Sequence, residues 1–166
     1  VIKNNTRNNE SWREEGTHVQ LINDLSDYGD FIHSLFKSSE KVFRWGLYDR
    51  NKLNNFSKGN ITLLGDSAHP MMPFLGQGGA MAFEDAFVLG RLLLTIPSYN
   101  KVQEKYNDIR RKRVNYIKSS SAFQGYINHL TNPLLKNVRD YLLKNTNIAM
   151  RRTKNIYNYD TLEKLI

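Results

Sequence analysis

The 166-residue chain contains no cysteine, which excludes disulfide bonds, thiolate metal sites and a cysteine nucleophile. No apolar run is long enough to span a bilayer, and no signal-peptide pattern is present. The sequence begins at Val1 rather than at a methionine, so we expect a fragment or a processed chain. Because a cysteine-free composition fits a reducing compartment, we expect a cytoplasmic protein.

Acidic residues are scarce in the C-terminal part of the chain. Residues 1–100 carry 10 Lys and Arg against 11 Asp and Glu, whereas residues 101–166 carry 14 against 5. The formal charge of +8 therefore comes from the C-terminal region. Blocks of like charge usually face water, so a solvated helix face is the main interpretation. A basic surface that binds nucleic acid or an anionic membrane is an alternative from a different functional class.

The N-terminal part of the chain predicts two helices followed by two strands. Apolar spacing favours short amphipathic helices around Leu21–Leu25 and Phe31–Phe36, and Asp27 is a candidate cap for the second. The β-branched and aromatic run Val42–Tyr48 predicts a strand. The short apolar run Ile61–Leu64 predicts a strand buried on both faces, as in a parallel sheet covered by helices.

The rest of the chain is helical in pattern. Ala80–Leu94 is apolar almost all round and predicts a buried helix. Asn100 and Gln103 resemble a capping box at the start of a long helix. Asn132 and Pro133 suit the N-cap and first position of a further helix.

The candidate ligand-binding residues lie in one segment, Gly65–Ala86, which reads GDSAHPMMPFLGQGGAMAFEDA. An acid after a buried strand, here Asp66, points into the crevice where open α/β sheets bind ligands, and a carboxylate there suits a polyol hydroxyl. Gly76, Gly78 and Gly79 lead directly into a helix, whose unpaired N–H groups and positive dipole end stabilise negative charge. Several ligands fit this geometry, so the pattern alone does not choose among them.

Four other kinds of site are disfavoured by what the sequence lacks. No Lys-Ser/Thr pair follows the glycines, as a phosphate-binding loop requires, and the spacing differs from GxGxxG. Ser67 lies outside any GxSxG pattern, which argues against a hydrolase. The four histidines are scattered without carboxylates at ligand spacing, so we expect no metal site and a structural hydrogen-bonding role for His69.

The segment closely resembles the second FAD motif of the aromatic-ring monooxygenases related to salicylate hydroxylase and para-hydroxybenzoate hydroxylase. The flanking residues extend the resemblance over nearly the whole chain, from Trp12 through Trp45 to Tyr157. It implies an α/β fold, namely the C-terminal part of the FAD/NAD(P)-binding domain of the para-hydroxybenzoate-hydroxylase fold. The implied divisions are the end of a substrate domain (1–50), a flavin-binding strand, loop and helix (51–98), and a helical C-terminal region (99–166).

The resemblance also implies binding roles for individual residues. Asp66 is expected to hold the ribityl hydroxyls, and backbone N–H groups at the start of the helix to face the pyrimidine edge of the flavin. Arg50 and Phe74 are possible flavin or substrate contacts, although Phe74 stands where some relatives carry histidine. The implied cofactor-binding residues are Asp66, Pro73, Gly76, Gln77, Gly78, Gly79 and Ala80, and no catalytic residue is implied.

The activity implied is hydroxylation of a small aromatic substrate with O2, with FAD as cofactor and NADH or NADPH as electron donor. The ADP-binding turn and the central NAD(P)H motif of the family are absent from this chain, so we expect the chain by itself to hold FAD weakly and to be inactive. A flavoprotein of the same fold that hydroxylates a quinone precursor or simply oxidises NAD(P)H is an alternative within the same functional class.

Overall fold

The computed structural model describes residues 13–26, 29–37, 39–163 and 165. The chain forms two compact units, Val1–Leu47 and Tyr48–Ile166. Among the described residues, no helix is both long enough and apolar enough to cross a membrane.

The first unit contains a short antiparallel ladder and two helices. Strand β1 (Glu15–Gly16) pairs with β2 (Val42–Phe43), and helices α1 (His18–Asp24) and α2 (Asp30–Lys37) lie between them in sequence. The two helices confirm the prediction from apolar spacing. The candidate cap at position 27 lies outside the described residues.

The predicted strand Val42–Tyr48 is wrong beyond Phe43. A ladder extends only as far as its partner, and in the antiparallel register Glu15 faces Phe43, so a longer β2 would have to pair with residues that precede Glu15. The N–H of Arg44 still donates to the carbonyl of Glu14 at 3.0 Å. The other end of β1, at Gly16, is set by Thr17, which caps helix α1. The Thr17 hydroxyl accepts from the N–H of Gln20 at 3.2 Å, and the Gln20 side chain accepts from the N–H of Thr17 at 3.1 Å. This capping box commits the chain to a helix directly after β1.

The second unit contains a β-hairpin with a two-residue turn. Strand β3 (Ser57–Lys58) pairs with β4 (Ile61–Thr62) in antiparallel register, and Gly59 forms the turn in the left-handed region with φ of 57°. The prediction of a fully buried parallel strand at Ile61–Leu64 is wrong, since the Ile61 side chain is 67% exposed. An apolar run does not reveal which strands lie beside it, and in the described part of the chain β4 has a neighbour on one side only.

Four helices make up most of the second unit. They are α3 (Gly78–Thr95), α4 (Tyr99–Asn128), α5 (Pro133–Asn145) and α6 (Ile148–Tyr157). The predicted helix over Ala80–Leu94 and the helical C-terminal region are therefore confirmed. The Asn132 side chain accepts from the N–H groups of Leu134 and Leu135, as predicted for the cap of α5.

Two details of the helix predictions are wrong. Helix α3 is buried along one face only, and Phe83 and Leu94 are 80% and 82% exposed, because a single helix, α4, covers it within the described residues. Helix α4 begins after Ser98 without a side-chain cap. The Gln103 side chain instead donates to the carbonyl of Gly59 at 3.0 Å and so fastens the hairpin to α4.

The core of the second unit lies between α3 and α4. Their buried side chains recur every three or four residues, as one face of each helix requires. Phe56 from the loop before β3 and Ile156 from α6 close the two sides of this core. The apolar side chains that α3 and α4 bury in it are Met81, Val88, Leu92, Val102, Tyr106, Val114 and Ile117.

A buried ionic network crosses this interface. The Asp85 carboxylate accepts from the Nε of Arg110 at 2.6 Å, from His69 Nε2 at 2.5 Å and from the N–H of Gly65 at 2.9 Å. Glu84 accepts from Arg110 at 2.7 Å and from Arg113 at 3.0 Å. The network joins α3, α4 and the turn after β4.

The network sets the protonation of its carboxylate. Burial alone raises the pKa of Asp85, but the hydrogen bonds from His69 and Gly65 and the charge of Arg110 outweigh it, so this pKa lies below its ordinary value. Burial lowers the pKa of Arg110, and the hydrogen bonds and charges of Asp85 and Glu84 raise it above the usual value. Both groups are therefore charged at neutral pH.

The interpretation of the C-terminal charge as a solvated helix face needs one correction. Arg110, Arg113 and Lys118 on α4 are buried and bonded to acids or carbonyls. Long cationic side chains are buried only when paired, and the acids that pair with the two arginines lie on α3, outside the basic block. The other Lys and Arg residues of α4, Lys101, Lys105, Arg111 and Lys112, face solvent.

We expect Arg110→Met to lower the free energy of unfolding by about 3–5 kcal/mol, because it leaves a buried carboxylate without its cation. Chemical denaturation of the purified protein measures this loss. The control is Lys112→Met on the exposed face of the same helix, which we expect to change stability by less than about 0.5 kcal/mol. A loss no larger for Arg110→Met than for the control would contradict the network's role.

The lowered pKa of Asp85 predicts acid sensitivity. Its contribution to stability is fully present above the pKa of an unfolded aspartate, about 3.9, and is lost as pH falls through the lower folded pKa. Unfolding free energies measured between about pH 6 and pH 2 should fall more steeply for the wild type than for Asp85→Asn, which has no proton to bind. Parallel curves would show that another group controls acid unfolding.

Candidate functional site

The site begins at the turn that follows β4. Gly65 adopts the left-handed region with φ of 56°, and a Cβ there would lie 3.2 Å from the Cβ of Ala82 on α3. Its N–H donates to Asp85 on the same helix. Glycine is therefore needed both for the backbone conformation and for the close approach of the turn to the helix.

Asp66 lies in the short 3-10 turn Gly65–Ser67 and is exposed. Its Oδ1 lies 3.9 Å from the position that a Cβ on Gly78 would occupy, so the carboxylate stands beside the start of α3. It does not cap that helix, whose N-cap is Gln77 without a side-chain hydrogen bond. Within the described residues the Asp66 carboxylate accepts no hydrogen bond, which leaves it available to a ligand hydroxyl.

The start of α3 presents unused backbone donors. Gly76 turns the chain in the left-handed region with φ of 63°, and the largely buried Gln77 follows. The first backbone N–H of α3 that donates to a carbonyl of the preceding turn is that of Met81, which donates to the carbonyl of Gln77 at 2.9 Å. The N–H groups of Gly78, Gly79 and Ala80 precede that bond and have no acceptor in the described part of the chain.

These donors stand in an open cradle. Gly79 and Ala80 are exposed, and a Cβ on Gly79 would have nothing within 4 Å. The positive end of the helix dipole adds to the three N–H groups, so the cradle favours a negatively charged or strongly accepting ligand edge. The structure thus brings Asp66 and the predicted residues Gly78, Gly79 and Ala80 together at one surface.

The loop from Pro70 to Leu75 runs along one face of α4. The Lys118 Nζ donates to the carbonyl of Pro70 at 2.9 Å, and the Ser121 hydroxyl donates to the carbonyl of Met72 at 2.5 Å. Pro73 begins a 3-10 turn, Pro73–Leu75, and is exposed. The carbonyl of Leu75 accepts a hydrogen bond from the Tyr157 hydroxyl at 3.0 Å.

Phe74 points to α4. Its ring lies 2.3 Å from the position that a Cβ on Gly125 would occupy, so only glycine is compatible with this contact. The ring also packs edge-on against His129, with centroids 5.6 Å apart. Helix α4 therefore holds the half-buried Phe74 from the side.

Arg50 lies at the start of the second unit, and its backbone is tied to the same helix. Its carbonyl accepts from Lys118 at 2.8 Å, and its N–H donates to Asp49 at 2.9 Å. Lys118 thus connects the segment of Arg50 with the loop at Pro70.

His69 has the structural role expected from the sequence. It is buried, donates through Nε2 to Asp85, and packs against Phe56 with ring centroids 5.9 Å apart. Ser67 donates its hydroxyl to the carbonyl of Leu64 at 2.7 Å, so it is not oriented toward a histidine base. The hydrolase alternative has no support in this arrangement.

The sequence did not identify three residues that shape the site: Lys118, Ser121 and Gly125. With His129 they recur at intervals of three, four and four, which places them on one face of a helix. That interval was the available signal, but it does not show that the face meets a loop. The pairing of Glu84 and Asp85 with Arg110 and Arg113 was also missed, because the acids and the arginines lie on different helices, 25 or more residues apart in sequence.

Comparison with known proteins gives matches to this chain. The family described as "FAD binding domain" matches residues 2–120. The chain is 34% identical over 110 residues to 3-amino-4-hydroxybenzoate 2-monooxygenase of Streptomyces platensis, covering 66% of this chain and 28% of that protein. It is 28% identical over 128 residues to salicylate hydroxylase of Pseudomonas putida, covering 75% and 30% respectively. The chain thus spans less than a third of the length of these curated relatives.

A solved structure titled "Salicylate hydroxylase substrate complex" aligns with 99% of this chain and 40% of that chain, with a TM-score of 0.74 and 24% identity. This likeness confirms the predicted fold class, an α/β FAD-domain portion with a helical C-terminus. The match over residues 2–120 includes the turn at Asp66, the glycine cradle and most of α4. The chain therefore belongs to the FAD binding domain family.

Proposed function

We propose that the Asp66 turn and the start of α3 bind the flavin-ring half of FAD. The observation that carries the proposal is the cradle itself, in which three unused N–H groups and an unpaired carboxylate border a surface that has no side chain at Gly78 and Gly79. A flat ring with an accepting edge, followed by a chain of hydroxyls, matches both parts of the cradle.

Each predicted residue has a distinct role in this proposal. The Asp66 carboxylate accepts hydrogen bonds from the ribityl hydroxyls. The N–H groups of Gly78, Gly79 and Ala80 donate to the pyrimidine edge and stabilise the negative charge it carries when reduced. Gly76 and Gln77 set the direction in which these groups point. Pro73 and Phe74 form the wall of the loop beside the ring, and Arg50 lies near enough to the loop for a flavin or substrate contact.

For the whole protein we propose an NAD(P)H-using monooxygenase that hydroxylates a small aromatic compound. The names of the relatives from Streptomyces platensis and Pseudomonas putida, whose substrates are hydroxylated benzoates, support this substrate class. When bound, FAD supplies electron transfer from NAD(P)H and activation of O2. The residues of this chain orient the ring, exclude water from its edge and stabilise its charge.

The division of the chain follows the same proposal. Residues 1–50 end a substrate domain, residues 51–98 hold the flavin, and residues 99–166 form a helical region that supports the loop. The cysteine-free composition supports a cytoplasmic location.

A direct test is the visible spectrum of the purified whole protein of which this chain is a part, together with NADH and NADPH oxidation in the presence of hydroxybenzoates. A flavin spectrum with substrate-stimulated oxidation and a hydroxylated product would support the proposal. Flavin binding with oxidation but without any hydroxylated product would contradict the monooxygenase assignment, and a protein unable to take up FAD would contradict the site itself.

We expect Asp66→Ala to raise the Kd for FAD about 10- to 100-fold, because it removes a charged acceptor of hydroxyl hydrogen bonds. Titration of the whole protein with FAD, followed by flavin fluorescence, measures the change in Kd. The matched control is Asp108→Ala, an exposed aspartate on α4, which we expect to leave the Kd unchanged. Equal effects of the two variants would remove Asp66 from the binding site.

We expect Gly78→Ala to separate binding from stability. The added Cβ would approach protein atoms no closer than 3.9 Å, so the melting temperature should not fall, yet the methyl group occupies the cradle and should weaken FAD binding about 10-fold or more. Gly90→Ala, in the middle of α3 with nothing within 4 Å of its Cβ, is the control and should retain full affinity. Full FAD affinity in Gly78→Ala would show that the ring lies elsewhere.

A further inference from the structure

Lys118 is a buried cation outside the ionic network of Asp85. It is 5% exposed, and its Nζ has three oxygen neighbours: Asp49 Oδ1 at 2.9 Å, the carbonyl of Arg50 at 2.8 Å and the carbonyl of Pro70 at 2.9 Å. An ammonium group has three N–H donors, and the three oxygens match that number. The group is fully satisfied only while all three oxygens stay in place.

The three oxygens come from two separate segments of the chain. Asp49 and Arg50 lie at the start of the second unit, whereas Pro70 lies 20 residues further on. Pro70 begins the loop of residues 70–75, which we call the flavin-facing loop. A buried ammonium that loses its partners carries a large desolvation penalty, so Lys118 keeps the two segments at a fixed spacing. Two backbone carbonyls would lose their donor if the ammonium were absent.

Two further contacts extend the same support along the loop. The Ser121 hydroxyl holds the carbonyl of Met72 one helical turn beyond Lys118. One turn further, the bare backbone of Gly125 receives the ring of Phe74. The support therefore follows the loop from Pro70 to Phe74, immediately before Gly76 turns the chain into the cradle.

We propose that Lys118 is a positioning residue for the flavin-facing loop: through the Pro70 carbonyl it sets the path by which the loop delivers Gly78, Gly79 and Ala80 to the flavin edge. This inference rests on the proposed flavin site. Lys118 acts through the loop backbone and does not itself touch the ring. The start of the loop is fixed separately by Asp85, so the loss of Lys118 frees the middle of the loop while α3 and its core remain packed.

Hydrogen exchange measured by mass spectrometry tests this role without any flavin. In Lys118→Met, peptides that cover residues 71–77 should exchange about 10-fold faster than in the wild type, while peptides from α3 keep their protection. Ser121→Ala, which removes only a hydroxyl, should accelerate the same peptides by a smaller factor and serves if Lys118→Met does not fold. Unchanged exchange of the loop in folded Lys118→Met, or in Ser121→Ala if Lys118→Met does not fold, would overturn the proposal.

The control is Val102→Ala, a fully buried core position near the start of α4 and remote along the helix from Lys118. It should lower the melting temperature without a selective effect on the loop. If Val102→Ala accelerated residues 71–77 as much as Lys118→Met does, the effect would be general destabilisation and the proposal would fail.

A flavin titration completes the test. In the whole protein, the wild type and Val102→Ala should bind FAD equally at a temperature well below unfolding, and Lys118→Met should bind about 10-fold more weakly. Faster loop exchange with unchanged FAD affinity would overturn the positioning role. If the wild type bound no FAD while the loop still loosened selectively, the flavin site would be wrong and the mechanical support by Lys118 would stand.

Discussion

The carboxylate of Asp85 receives hydrogen bonds from three parts of the second unit: the turn at Gly65, the ring of His69 and the guanidinium of Arg110. Because the group is buried, each of these donors compensates for lost hydration. Arg110 has a second acid partner in Glu84, whereas the N–H of Gly65 and the Nε2 of His69 bond to Asp85. The position of the turn relative to α3 and the spacing of α3 from α4 both depend on this one group. The turn that carries Asp66 is therefore positioned by this network.

The buried and exposed polar groups are used in opposite ways. Arg110, Arg113 and Lys118 are bonded to protein oxygens, so they are not available to a ligand. Asp66 and the first N–H groups of α3 are left without protein partners on the surface of the described region. A fixed framework with unsatisfied groups at its edge is the arrangement that allows a ligand to bind without reorganising the protein.

The sequence was informative where local chemistry decides the structure. The cap at Asn132, the helix after the glycines and the turn at Gly65 follow from preferences of individual residues, and the glycine segment also identified the family. The strand at Ile61 was misjudged because its burial depends on neighbouring strands, which an apolar run does not specify. Lys118, Ser121 and Gly125 were missed because their importance arises from a loop 50 residues away in sequence. Contacts of that kind are set by packing and leave no mark on local composition.

Helix α4 holds the β3–β4 hairpin through Gln103 and the loop of residues 70–75 through Gly125. The 22 residues between these contacts span about 33 Å, so the helix acts as a ruler between the two attachment points. Inserting one residue between them would rotate every later side chain by about 100° and turn Gly125 away from Phe74. Between Gln103 and Gly125, a change of length must therefore preserve the phase of the helix.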